Sequence, residues 1–439
     1  MVSAMRRLLS KKRMALVGAL LATLAVAGYG ASNGFDGWAK ADPDDAPAST
    51  PAKAASGKAV TQACTTAVLG TLRDVASRVY NEGVSSERTA SATVFIERSA
   101  GLRRAVEHDD RQAARAAAKA LLATGHMTAI EVTSNGRTLV AAGTPGSLAP
   151  VHGSIAGAGG LPIASFVTSV WSYAGYIDET NGIAEARTLL RRGGHDLAGS
   201  FPLPSRTPLA DQGDLEVNGT DYAYTSFPGA SYPDGRPLRV YLFRSLPSIA
   251  PLCGADATAT VDATLARIAR LIYTSEGGPR AREQVRRVQH NRALLDAVAA
   301  RDPEATRSAI DTLLNEHIVR MRVSAGGRLL ADVGGPYVLA PVHAPLRLHG
   351  RQIGSVVLSV QDDEGYKRLT GRLAGLDVLM YMNGRLVKNS LGPEPGAVPA
   401  SGPYAYRSRR FQVYTFDAQA FPSGPLRVAV LIPDPYTAG

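Results

Sequence analysis

The feature that most constrains this chain is that it is written twice. Leu148-Ala149-Pro150-Val151-His152 recurs 191 residues later (339 minus 148) as Leu339-Ala340-Pro341-Val342-His343. At the same shift Val132 to Gly143 (VTSNGRTLVAAG) answers Val323 to Gly334 (VSAGGRLLADVG). Ile163 to Val170 (IASFVTSV) answers Ile353 to Val360 (IGSVVLSV), Gly175-Tyr176 answers Gly365-Tyr366, and Tyr232 to Val240 answers Phe421 to Val428. A unit this long, repeated once, means two tandem domains, because a solenoid repeats every ~20 to 50 residues. The units run from 59 to 252 and from 256 to 436. With 439 residues, 45% of them apolar, each has material for a real core, which excludes a mini-protein, a coiled coil and a largely disordered chain.

Each unit opens with apolar residues at helical spacing: Val68, Leu69, Leu72, Val75 and Val79 in the first, Val261, Leu265, Ile268 and Ile272 in the second. Further helices are expected over 91–106 and 111–123, and over 280–299 and 303–315. The period then shortens to about 2, with β-branched residues, over His317 to Val323 and Ser355 to Val360. Asn135-Gly136 and Gly326-Gly327 sit between two such runs, a strong signal for a tight hairpin. Each unit therefore reads as a helical part followed by an antiparallel sheet. Asp362 to Ala374 (DDEGYKRLTGRLA) reads as a helix crossing between early and late strands.

That order, with GGRLLADVG, LAPVHAPL, GRQIGSVVLSV and DDEGYKRLTGRLAGLDVLMYMNGRLV, resembles the extracytoplasmic Cache or PDC-type sensor fold of bacteria. The resemblance covers nearly all of 59–436. It implies an α+β fold: two tandem Cache/PDC-like units, each an N-terminal helical part packed on a PAS-like antiparallel sheet. Family members usually feed a second membrane helix into a kinase or chemotaxis module, and this sequence shows neither before Gly439. A signal is therefore expected to pass through a separate signalling protein.

Residues 1–30 read as an address. Arg6, Arg7, Lys11, Lys12 and Arg13 precede Met14 to Gly30, an uncharged apolar run whose length suits either a cleaved signal peptide or a signal anchor. Basic residues before the run place the body outside the cytoplasm. Residues 31–58, rich in Ala, Pro, Asp and Ser, read as a disordered stalk. Those five leading charges are half of the net +10, so the body is only mildly basic and shows no basic block with interleaved aromatics; nucleic acid is not an expected partner. The abundance of Ala, Arg and Gly over Lys suits a GC-rich bacterial genome.

The two cysteines, Cys64 and Cys253, flank unit one, and outside the cytoplasm a disulfide is their first reading; two buried free thiols are the alternative. No His-Glu-x-x-His, Gly-x-Ser-x-Gly, Walker loop or Cys-x-x-Cys occurs. We therefore expect no enzyme and no cofactor. His152 and His343, like His126 and His317, occupy corresponding places, but none has a second ligand at metal spacing, so they read as structural. Asp362, Asp363 and Glu364 begin a helix, where carboxylates offset the dipole. Arg137 and Arg328 follow hairpin glycines and read as solvent-facing.

The family resemblance places a ligand between sheet and crossing segment. There Trp171, Tyr173 and Tyr176 cluster with Asp178, a group that either cages an amine or simply covers the sheet. Unit two has Gln361 and Asp363 instead of Trp171 and Tyr173, while Tyr366, Arg368 and Arg372 suit an anion. The expectation is an extracytoplasmic protein, secreted or membrane-anchored, that senses an amino acid, carboxylate or amine. The alternatives are an envelope-associated structural or interaction module and, behind it, an extracytoplasmic hydrolase.

Overall fold

The computed structural model describes residues 60–434 apart from 205–206, 276–277, 315–317, 337 and 422–423. The N-terminal address, the stalk and His317 lie outside the described residues. The chain begins with a long helix α1 (Gln62–Ser85), capped by the Thr61 hydroxyl, which accepts from the Cys64 amide at 3.2 Å. Three shorter helices follow, α2 (Glu87–Glu97), α3 (Ala100–Glu107) and α4 (Arg111–Ala123). Next come β1 (Ala129–Ser134), β2 (Arg137–Gly143), β3 (Ser147–Leu148), β4 (Val151–Ala156), β5 (Pro162–Ser169) and β6 (Trp171–Ser172). A linker helix α5 (Tyr173–Ala184) leads to β7 (Arg187–Arg192), β8 (His195–Gly199), β9 (Gln212–Val217), β10 (Thr220–Ala230) and β11 (Pro237–Ser245).

The same order then recurs. The helices are α6 (Ala257–Ser275), α7 (Pro279–Gln289), α8 (Arg292–Ala300) and α9 (Pro303–Leu314). The strands are β12 (Arg320–Ala325), β13 (Arg328–Gly334), β14 (Val338–Leu339), β15 (Val342–Leu348), β16 (Arg351–Ser359) and β17 (Gln361–Asp362). After the linker helix α10 (Asp363–Ala374) come β18 (Asp377–Met382), β19 (Arg385–Asn389), β20 (Gly402–Tyr406), β21 (Arg409–Phe421) and β22 (Gly424–Asp434).

The helix expected over 91–106 is two helices, and so is the one over 280–299. The breaks have one cause in both halves. Ser99 and Asn291 each turn the chain and cap the next helix, accepting from the Leu102 amide at 3.2 Å and the Leu294 amide at 2.9 Å. The hairpins at Asn135-Gly136 and Gly326-Gly327 form as two-residue loops, closed by the pairs Ser134–Arg137 and Ala325–Arg328. All four loop residues have positive φ, the left-handed geometry that matches strand twist and favours Asn and Gly.

The fold is α+β with a helical part on antiparallel sheets, and each half carries two main sheets where the sequence suggested one, with β3 and β6 forming a further two-stranded ribbon in the first half. In the first half they run β2-β1-β5-β4 and β8-β7-β11-β10-β9. In the second they run β13-β12-β16-β15 and β19-β18-β22-β21-β14-β17, with β20 also on β21. The expected crossing helix α10 and its counterpart α5 are thus joints between two sheets. The duplicated Leu-Ala-Pro-Val-His motif lies at the same joints. Leu148 pairs with Trp171, and Ala149 and Ala340 both take positive φ as the chain turns towards the edge strands β4 and β15. His152 and His343 stand exposed on those edge strands.

One hydrophobic core runs through both halves. Leu72, Val75 and Val79 of α1 share it with Leu265, Ile268 and Ile272 of α6, and the two long helices pack against each other. Both start at the same point, because Cys64 in the first turn of α1 is disulfide-bonded to Cys253 just before α6, with a Cα–Cα distance of 5.5 Å. The helices α7 to α9 and sheet β13-β12-β16-β15 enclose a second core around Leu294, Ile310 and Val356.

Candidate functional site

The sequence-selected residues all lie where the linker helices meet the paired long helices. Ser172 caps α5, its hydroxyl accepting from the Gly175 amide at 3.0 Å, and Asp362 does the same for α10 through the Gly365 amide at 2.7 Å. The acidic group at 362–364 therefore serves the helix start, with Asp363 and Glu364 both at 3.1 Å from Lys388. Each cap sets a tyrosine one turn into its helix, facing inward. Tyr176 is fully buried and donates to the Ala76 carbonyl of α1 at 3.1 Å; Tyr366 is fully buried and donates to the Ala269 carbonyl of α6 at 2.9 Å. Burial pushes both phenols well above their ordinary range, so they stay neutral donors.

A second tyrosine completes each joint. Tyr80 meets Tyr176 edge-on at 6.2 Å and accepts from the Ala230 amide at 2.8 Å. Tyr273 meets Tyr366 edge-on at 6.2 Å and is bonded to the backbone of Gln419, its hydroxyl accepting from the amide at 2.8 Å and donating to the carbonyl at 2.9 Å. A long helix, a linker helix and a sheet are thus tied together twice by the same pair of residues.

Trp171 is 5% exposed and its indole N–H donates to the Val79 carbonyl at 3.1 Å. The Arg88 guanidinium lies 5.9 Å from its ring and donates to the Gly125 and His126 carbonyls, each at 3.2 Å. Burial lowers the Arg88 pKa to about 10, with Glu179 opposing. Asp178 is exposed and Tyr173 half-buried. Trp171 and Tyr176 come together at 6.2 Å, but their polar atoms are spent on α1, and Asp178 stands apart from them in solvent. A ligand reaching both rings would have to break two hydrogen bonds to the helix. Arg372, expected to suit an anion, is paired with Glu82 of the other half, and Arg368 adds its charge to the same carboxylate. Burial raises the Glu82 pKa even so.

The opposite joint carries the complementary pair. Glu185, at the end of α5 with φ of 47°, binds Arg267 of α6 and, at 3.3 Å, Arg244 of its own half. Burial would raise the Glu185 carboxyl, but Arg267 and Arg244 together pull it below its usual range. Each linker helix therefore contacts both long helices. Sequence reasoning missed Glu82, Arg88, Glu185 and Arg267, single charges in unpatterned helical stretches whose only signal was a charge near an apolar stripe. Among the described residues no group of three or more His, Cys, Asp or Glu is placed to hold a metal ion, and no helix is long and apolar enough to cross a membrane.

Long helices, linker helices and antiparallel sheets in this order, given twice, make a duplicated α+β fold. No family model matches the sequence, and no curated protein matches it significantly. Similar solved structures include the periplasmic domain of Vibrio cholerae LuxQ, 14% identical, covering 37% of this chain and 97% of its own with a TM-score of 0.26. The ligand-binding domain of the Pseudomonas fluorescens chemoreceptor CtaA, in complex with L-isoleucine, is 12% identical over 41% of this chain and 96% of its own, TM-score 0.25. An extracellular ligand binding receptor from Desulfohalobium retbaense is 10% identical over 41% of this chain and 39% of its own, TM-score 0.24. The fold assignment rests on the strand orders above and not on these likenesses. The disulfide agrees with an extracytoplasmic location.

Proposed function

We propose that this chain is an extracytoplasmic small-molecule sensor of two tandem Cache-like units, 59–252 and 256–436, tethered or secreted through its N-terminal segment. It binds an amino acid, carboxylate or amine and reports through a separate signalling protein. The observation that carries the reading is the reciprocal joint. Tyr176 and Tyr366 hook each linker helix to its own long helix, while Arg372–Glu82 and Glu185–Arg267 hook it to the other half's. A sheet that shifts on binding ligand pushes on both long helices at once, and these helices start at the end from which residues 1–59 lead. Trp171, Tyr176 and Tyr366 then act as positioning residues.

The test is a thermal-shift screen of the purified protein against amino acids, carboxylates, amines and nucleobases. A true ligand at about 100 times its Kd stabilises by about 2.7 kcal/mol. Reproducible stabilisation by one class supports the proposal, and a blank across all four overturns it.

A further inference from the structure

A cleft of about 630 Å³ opens at the start of α6, against β20 and the adjoining ends of β21 and β22. That volume suits a small organic molecule. Its walls include Val261, Tyr404, Phe411 and Ile432, and among them Asp262 lines the space. Asp262 is 9% exposed, and among the described residues no group donates a hydrogen bond to its carboxylate or forms an ion pair with it, so the carboxylate opens only to the cleft. A carboxylate desolvated on one side and unpaired on the other gains from a cationic partner, and the cleft is where such a partner can enter.

The neighbouring charges do not supply it. Asp434 is matched by Arg410 at 3.7 Å, and Asp256 spends its carboxylate on the Ala259 amide at 2.8 Å. Nor does the fold demand an acid here. The long helices align at a shift of 193 residues, as Tyr80 with Tyr273 and Ala76 with Ala269 show, so Asp262 stands where the first half has Leu69, a core residue. An acid in place of a core leucine, facing a cleft, marks a local use of that position.

The chemistry selects the ligand. The cleft also carries Arg410 and Asp434, which are matched to each other, so one unpaired carboxylate is left; it offers too few oxygens for a divalent metal, which takes about six, and it repels anions. A monovalent organic cation satisfies both parts, its charge on Asp262 and its carbon body on Val261, Pro403 and Pro433, with the Tyr404 ring available to the cation. We propose that this cleft is a binding site for a protonated organic amine, with Asp262 as its counter-ion. The proposal rests on the reading of the chain as a small-molecule binder and narrows it to one site and one charge. Burial first, then Asp434 and Asp256, raise the Asp262 carboxyl to about 6. The other titratable or charged groups facing it are Arg410 and Tyr414 of β21 and Tyr404 of β20.

The experiment is calorimetric titration of the full chain, Asp262→Asn and Asp262→Leu with 2-phenylethylamine, hexylamine and choline, against 2-phenylethanol and 3-phenylpropionate as neutral and anionic matches. Asp262→Leu installs the residue that the other half carries at this position, and circular dichroism checks that both variants are folded. At least one amine should bind the parent, at least tenfold more weakly to either variant, with affinity rising from pH 5 to 7 as the carboxylate ionises. Equal amine binding by parent and variants overturns the site but leaves the chain a small-molecule binder. Binding of other classes alone does the same. No binding to the amines, combined with a blank in the wider screen, removes both readings.

Discussion

Gly83 lies in the last turns of α1, against the Trp171 indole. An alanine there would normally strengthen a helix by about 1 kcal/mol, because glycine is a poor helix former. Its Cβ, however, would stand 2.4 Å from Trp171 Cδ1 and 2.9 Å from the Ala149 Cβ. Carbon atoms settle at about 3.5 to 4.0 Å, so something must move. The indole has little room to do so, being 5% exposed and held by its bond to the Val79 carbonyl at 3.1 Å. Overpacking costs about 1 to 3 kcal/mol, and losing the buried indole bond a further 1 to 3 or so. Set against the helix gain, Gly83→Ala should destabilise by about 1 to 5 kcal/mol. Trp171→Ala alone should cost about 3 to 5 kcal/mol through the cavity it leaves. In that background the contact with the indole is gone and the Ala149 Cβ at 2.9 Å remains, so Gly83→Ala should cost much less than it does in the parent. Urea unfolding of the four proteins, followed by circular dichroism, measures the cycle. A Gly83→Ala single variant as stable as the parent would refute the packing account of Trp171, and with it the role of this ring as a fixed joint.

Replacing Cys64 and Cys253 by serine opens a loop of 189 residues, and chain entropy sets the loss at about 5 kcal/mol. An unchanged denaturation midpoint with and without reductant would contradict this. A double-mutant cycle with Glu82→Gln and Arg372→Met should return a coupling of about 1 kcal/mol, more than a solvent-exposed pair gives, because the Glu82 side chain is only 14% exposed. Zero coupling would mean that the halves are not joined through this pair. Asp262 holds its proton to about pH 6 in the folded state and to about 3.8 unfolded, so its contribution to stability is full below the lower value and is lost as pH rises through the higher. Ligand-free Asp262→Asn should therefore lose less stability than the parent between pH 4 and 7, and parallel pH profiles would count against a buried, unpaired carboxylate.

The legible parts of this fold were local. The apolar stripe of Val68, Leu72, Val75 and Val79 announced α1, and Asn135-Gly136 announced its hairpin through the φ its residues accept. The caps Ser99 and Asn291 were also present in the sequence, yet a cap inside a continuous periodic run is visible only once the chain is seen to turn. The partition of the strands into separate sheets was not legible. Strands β1 and β5 pair over dozens of intervening residues, and no period in either strand specifies its partner.

The site divides in the same way. Sequence singled out Trp171, Tyr176, Tyr366 and Arg372 by residue type and by their place in the repeat, and those places are the joints of the molecule. Whether an aromatic ring opens to a ligand or closes on a helix depends on what packs over it. α1 supplies that cover, roughly 90 residues before Trp171 in sequence. Arg372 met its partner, Glu82, across 290 residues. The sequence by itself determined the duplication, the helices, the hairpins and the cysteine pair, because these follow from short-range periodicity, turn chemistry and compartment. Only the tertiary structure decided which charges are desolvated and paired, and that Asp262 is buried without a partner, because desolvation is a property of the assembled surroundings and not of the residue.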